Sequence, residues 1–185
     1  MVLGAQLHVG PTPPTPDHPR LRPSRRTLAH AIFCKPDDGL WTSSWRGPRA
    51  GSDWVQWCLL EGVGVPDGGR WRAHRLRVAP TARVYTIDRL DDLVALVERY
   101  PSANPWGLGQ QWPSWTDVAQ DFDGVHLTRA GQARTRFSFP TSLYGWDVES
   151  TVWFRWAFAG VIDLGERAFA LPADRGEHHA ASPTR

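Results

Sequence analysis

Lysine is almost missing from this 185-residue chain: Lys35 is the only one, so 21 basic residues less that one leave 20 arginines. With no second lysine there is no phosphate-loop lysine motif, and no Gly-x-Gly-x-x-Gly follows a strand-like run. A nucleotide would have to bind without either cradle. Cysteine is scarce as well. Cys34 and Cys58 make neither a disulfide framework nor a zinc pattern. Cys58, inside "WVQWCLL", reads as a buried free thiol. No run approaches the ~20 apolar residues of a membrane span, and "MVLGAQLHVG" lacks the basic start and apolar stretch of a secretory leader. A reduced, cytoplasmic, soluble monomer without membrane contact is expected. Excess charge of one sign is lacking too. Twenty-one basic against 19 acidic residues give +2, which by itself calls for neither nucleic acid nor an anionic membrane.

What is abundant is tryptophan, 11 residues, which supplies buried area and also flat platforms for sugars, bases and nicotinamide rings. Proline and arginine crowd residues 11–26, "PTPPTPDHPRLRPSRR", which cannot form a regular interior element and reads as an arm or surface loop. The polar stretch 175–185 reads as a frayed tail, leaving a single domain over 1–174.

Strand-like alternation marks "QLHVG", "LWTSSW", "RWRAHRLRVAP", "RVYTID" and "DGVHLT", then "QARTRFSF", "DVESTVWFRWAFA" and "GERAFAL". "TLAHAIF", residues 27–33, reads equally as a short strand or one helical turn. Ser52 or Asp53 caps a short helix, "DWVQWCLLEG", that Gly62 stops. Asp88 caps a second, whose Leu90, Leu93, Val94 and Val97 recur at helical spacing. Ser114 caps a third, "SWTDVAQDF". The sum is an α+β domain with a mostly antiparallel sheet folded over on itself and short inserted helices.

The chemistry-bearing candidates are few. Asp147 and Glu149 open a late strand after the turn "LYGW", where alternation would put both on one face with Thr151, Trp153 and Arg155, and set Val148, Val152, Phe154 and Trp156 on the other. A carboxylate displayed by a glycine-containing turn on a rigid strand suits a site. The competing account is an exposed strand-end acid pairing with Arg155 or another arginine. "GLWTSSW" sets Thr42, Ser43 and Ser44 between Trp41 and Trp45, hydroxyls beside aromatic plates, although Thr and Trp also pair across strands for purely structural reasons. No Gly-x-Ser-x-Gly elbow accompanies these hydroxyls. His8 ends the first strand, while His74, His126 and the pair His178–His179 show no metal-like spacing with acids or cysteines, so no metal is expected.

In order along the chain, these pieces resemble the ADP-ribosyltransferase family: a histidine near the end of an early strand, "LWTSS" on the second, and Asp-x-Glu opening a late strand. The segment from "RVAPTARVYTID" to "DFDGVHLT" resembles bacterial and phage-associated members. The resemblance implies two small, mostly antiparallel β-sheets forming a split cleft that binds NAD, the donor substrate. It implies Glu149 as the catalytic glutamate and Asp147 two positions before it, orienting or deprotonating the acceptor. It also implies His8, Thr42, Ser43 and Ser44 as NAD-binding residues, and Trp41 or Tyr144 stacking on nicotinamide. Arg26 and His30 are rivals of His8 if the first strand is 27–33. The departures are Asp where Glu or Gln is usual, Thr-Ser-Ser instead of Ser-Thr-Ser, and no Gly-Thr after His8. The implied acceptor is a macromolecule, protein or nucleic acid, and Arg70, Arg72, Arg75 and Arg77 make DNA or RNA an option. Two other readings compete. One is a non-catalytic Trp/Arg-rich module that binds nucleic acid or glycan by stacking. The other is a glycoside-active enzyme using the two carboxylates.

Overall fold

The computed structural model describes residues 3–17, 35, 36, 38–102, 109 and 111–172. The 27–33 segment with His30, the part of the Pro/Arg arm over 18–26 with Arg26, Cys34, Trp106 and the tail from Arg175 lie outside the described residues.

Seven strands form one sheet in the order β4-β5-β6-β2-β1-β3-β7. They are β1 (Gln6–Val9), β2 (Leu40–Ser44), β3 (Arg70–Val78), β4 (Val84–Ile87), β5 (Gly124–Leu127), β6 (Ser150–Trp153) and β7 (Phe158–Ala168). Among the described residues, β4 with β5 is the one parallel pairing. Four helices are inserted among the described residues: α1 (Asp53–Glu61), α2 (Leu90–Arg99), α3 (Trp115–Asp121) and α4 (Arg129–Thr135). The α+β class holds; the two separate sheets expected from the resemblance do not.

The sheet stays single because β2 serves both halves. Leu40, Trp41 and Thr42 pair with β6 on one edge, while Ser43 and Ser44 pair with β1 on the other. Beyond Leu7 the β1 backbone leaves β2 but remains paired with β3 through Val9. The sheet is thus splayed at its centre without being cut in two. Gly39 permits the entry to β2: its φ is 111°, and a Cβ there would lie 2.8 Å from the Trp153 carbonyl oxygen.

Side chains alternate across these strands and sort into opposite layers. Ile87, Val125, Leu127 and Val152 face Leu93, Leu96 and Val97 of α2 and Val118 of α3 in one apolar cluster. On the same side, Leu7, Trp71 and Ala73 meet Val55 and Cys58 of α1. Leu40, Leu76, Val78 and Trp153 point the other way, against Ala157 and Phe158.

Local signals account for most helix ends. Ser52 Oγ accepts from Val55 N, and Gly62 closes α1 in the left-handed region at φ 66°. The N-cap of α2 is Arg89, one residue past the expected Asp88, and Asp92 turns back to accept from both Asp88 N and Arg89 N at 2.9 Å. "QARTRFSF", expected as a strand, holds none: its first half ends α4, which Thr128 caps by accepting from Gly131 N at 2.9 Å, and its second half is turn and loop. "GERAFAL" is the end of the long β7 and not a strand of its own. β6 begins at Ser150, so Asp147 and Glu149 precede the strand, and the chain leaves it at Trp153. Trp156 consequently packs with the Trp153 cluster and not with Val152.

Candidate functional site

Trp146 fixes the segment that carries the two acids. It is buried edge-on against Trp41, ring centres 4.7 Å apart, and beside Trp115 at 5.9 Å. Gln132 Nε2 of α4 donates to the Asp147 carbonyl at 3.1 Å, tying the segment to the helix. Continuing the β2–β6 register past Thr42↔Thr151 would set Ser44 opposite Glu149. The Glu149 side chain occupies that place. Its carboxylate accepts from Ser44 N at 3.0 Å, from Ser44 Oγ at 2.9 Å and from Ser43 Oγ at 2.8 Å. A side-chain acceptor thus replaces the backbone ladder where the strands part, and Glu149 is only 5% exposed.

The next shell is polar and buried. His126 Nδ1 lies 3.5 Å from Glu149 Oε1 and 2.9 Å from Thr151 Oγ1. Because Thr151 Oγ1 donates to Gln6 Oε1 at 3.2 Å, it accepts from His126, which makes Nδ1 the protonated nitrogen. Thr42 Oγ1 donates to the same Gln6 oxygen at 2.9 Å and accepts from Trp153 Nε1 at 2.8 Å. Burial holds the His126 pKa below 6.5; the charges of Glu149 and Asp88 oppose that shift.

Asp147 does not share a face with Glu149. Its carboxylate turns to Lys35, Nζ–Oδ2 3.5 Å, at the rim of a cleft of about 330 Å³. Trp41, Trp54, Trp146, His8, Thr42 and Val148 line this cleft, which opens where β1 leaves β2. His8 Nδ1 donates to the Trp41 carbonyl at 3.1 Å, using an acceptor that the departing β1 backbone no longer reaches. The Lys35 ammonium lies 5.7 Å over the Trp41 ring.

The structure therefore brings together Glu149, Ser43 and Ser44, and gathers His8, Trp41, Thr42 and Asp147 around the adjoining cleft. Tyr144 is not brought in: its ring is exposed against Phe137, centres 5.6 Å apart. Arg155 pairs with Asp123 at 3.4 Å, not with Glu149. On β3, Arg70 and Arg72 border a second groove of about 700 Å³ that adjoins the cleft at Val9 and Trp54. Arg75 packs over Trp45 and Arg77 donates to the Ala159 carbonyl, away from that groove. No three His, Cys, Asp or Glu among the described residues are grouped to hold a metal. No helix among them is long and apolar enough to cross a membrane.

Sequence reasoning missed His126, Gln6 and Thr151, and it missed Asp53, which is buried between Arg46 and Arg129. Only the register that sets His126 opposite Thr151 reveals the first of these partnerships. Compared with family models, curated proteins and solved structures, the chain matches none of them.

Proposed function

We propose that the protein is an NAD-dependent ADP-ribosyltransferase, and the observation that carries this is the Glu149 carboxylate held by Ser43 Oγ, Ser44 Oγ and Ser44 N, between Val148 and Ser150 of the wall of an aromatic cleft. Breaking the nicotinamide–ribose bond develops an oxocarbenium-like charge on the ribose, which a fixed, water-shielded carboxylate stabilises. The nicotinamide end of the donor fits the cleft between Trp41, Trp54 and Trp146. The ADP end runs past Trp54 into the larger groove, where Arg70 and Arg72 face its phosphates. Nicotinamide departs neutral with the electrons of the broken bond, the acceptor forms the new bond to C1′, and Asp147 takes the acceptor's proton. His126 and Thr151 keep the carboxylate in one orientation.

A glycoside-active enzyme needs two carboxyls facing one bond across a sugar, whereas here Asp147 faces Lys35 and Glu149 faces β2. A purely stacking module leaves the buried carboxylate only its structural task of bridging the strands, and it predicts binding that falls steeply with salt and ignores Glu149.

Nicotinamide release from NAD is the measurement. Wild-type protein is expected to release it, and Glu149→Gln, whose amide oxygen can still accept from Ser43 Oγ and Ser44 N while its NH2 donates to Ser44 Oγ, to lose about 10²- to 10³-fold while staying folded. Absence of NAD binding, together with no turnover on protein, DNA or RNA, would sink the assignment.

A further inference from the structure

We infer that the acceptor enters through a second opening, on the other flank of Asp147–Glu149 from the cleft, and that it is single-stranded nucleic acid; this rests on the transferase assignment above. The opening is a depression of about 250 Å³ to which Asp53, Trp57 and Leu60 of α1, Arg129 of α4 and Glu149 all contribute. Asp147 and Val148 line both it and the cleft, so one short segment separates donor from acceptor space.

The face that α1 turns to the depression has the chemistry of a platform. Asp53, Trp57 and Leu60 recur at i, i+4 and i+7, one side of a helix, while Val55 and Cys58 supply its core side. Leu60 is 69% exposed. Trp57 stacks on Trp54, ring centres 5.1 Å apart and planes 24° from parallel, so a further flat ring can extend the stack.

Charge at the rim favours a polyanion. Buried Asp53 grips Arg129 along one guanidinium edge, Nε at 2.5 Å and Nη2 at 2.7 Å, and also pairs with Arg46. The Arg129 side chain remains 63% exposed, so its position is fixed while the rest of the guanidinium meets solvent. The acids Asp53 and Glu149 are buried, and Asp147, with 29% of its side chain exposed, is paired with Lys35; an arriving molecule meets arginine, tryptophan, leucine and the Asp147 that is to take its proton. A phosphate on Arg129 with a base on Trp57 satisfies both halves of that surface. An acidic peptide satisfies only the cations.

Arg70 and Arg72 on β3 border the other groove, on the donor's side, and do not line this depression. In the transfer, the lone pair of a base nitrogen forms the bond to C1′ as the bond to nicotinamide breaks. The nitrogen's proton passes to Asp147 and then to water.

The test follows nicotinamide release and the mass of the acceptor in parallel, with NAD and, in separate arms, a single-stranded oligonucleotide, its duplex, an acidic peptide or no acceptor. Wild type is expected to add one ADP-ribose to the single strand in preference to the other arms, more weakly as salt rises. Leu60→Glu, a surface change that leaves the core intact, and Trp57→Ala are each expected to lower the ratio of transfer to hydrolysis about tenfold, the size of losing one stacked base. Arg129→Ala should lower it too, with partial rescue in Arg129→Lys. Modification of the peptide instead of the oligonucleotide, an unchanged ratio in Leu60→Glu and Trp57→Ala, or loss of transfer only in Arg75→Ala and Arg77→Ala would overturn the inference. A wild-type protein that releases no nicotinamide in any arm would instead sink the transferase assignment itself.

Discussion

Along β5 and β6, Val125, Leu127 and Val152 point to the layer of α2 and α3 and are fully buried among apolar side chains. Their neighbours on the same strands, His126 and Thr151, point the opposite way and are almost as deeply buried, but among hydrogen-bonding groups. The helix-facing layer is held by area and shape, for which many residues of similar volume serve. The other layer is held by named partners, since a buried donor or acceptor without one is costly. One chain of contacts, Trp153–Thr42–Gln6–Thr151–His126, leads to the Glu149 carboxylate, so on that side stability and the proposed chemistry share atoms.

Separate changes to the two layers would break this comparison if they gave the same outcome. The largest loss of stability is expected on the apolar side. Leu96→Ala removes a side chain that is 1% exposed and should cost about 2–5 kcal/mol, read from the shift in the denaturant midpoint. It should leave nicotinamide release per folded molecule unchanged. Thr151→Val keeps the volume on the polar side but removes the group that accepts from His126 and donates to Gln6. Its cost should be smaller, about 1–3 kcal/mol, because Gln6 Oε1 keeps Thr42 as a donor while His126 Nδ1 loses its shortest contact. Activity should order the two variants the other way, with the valine variant losing more. Equal activity losses would mean that the polar layer acts only as core.

The apolar layer is much the more legible of the two from the amino-acid order. The helical spacing of Leu93 and Val97, the Ser52 cap and Gly62 stop of α1, and the alternation of β3 are local signals, and the elements formed where those signals stand. The resemblance of "LWTSS" and Asp-x-Glu to a known pattern singles out Ser43, Ser44 and Glu149 as residues, and their side chains are hydrogen-bonded to one another in the fold. What stayed hidden depends on register over long separations. The change of partner along β2 cannot be read from "LWTSS", nor can the pairing of His126 with Thr151 across 25 positions. α4 escaped because its seven residues carry no apolar stripe and rest on the Thr128 cap. Asp147 and Glu149 were expected on a strand because β-branched and aromatic residues follow them; the buried Trp146 instead delays the strand until Ser150.

The smallest expected effect concerns pH and concerns a histidine outside the site. His74, on β3, has no exposed surface, and neither ring nitrogen has a hydrogen-bond partner. Asp163 Oδ1 is 4.0 Å from Nε2, Arg72 lies on the same strand, and the ring of His8 on β1 is centred 6.3 Å away. Burial lowers the His74 pKa from 6.5; Asp163 opposes the shift and Arg72 adds to it. His126 is lowered in the same direction, again chiefly by burial. As pH falls through 6.5, the unfolded chain therefore takes up protons at both histidines that the folded chain still refuses, and stability drops with pH. It levels off once the pH is below the folded-state values as well. His74→Leu replaces the ring by an apolar side chain in an already buried place, so its melting temperature should decline less than that of wild type between pH 7 and pH 5. The difference should be smaller than either loss above, because His126 keeps its share of the acid sensitivity. Parallel melting curves for the two proteins across that range would show that His74 contributes nothing, and would leave His126, in the layer that carries Glu149, as the group through which acid weakens the fold.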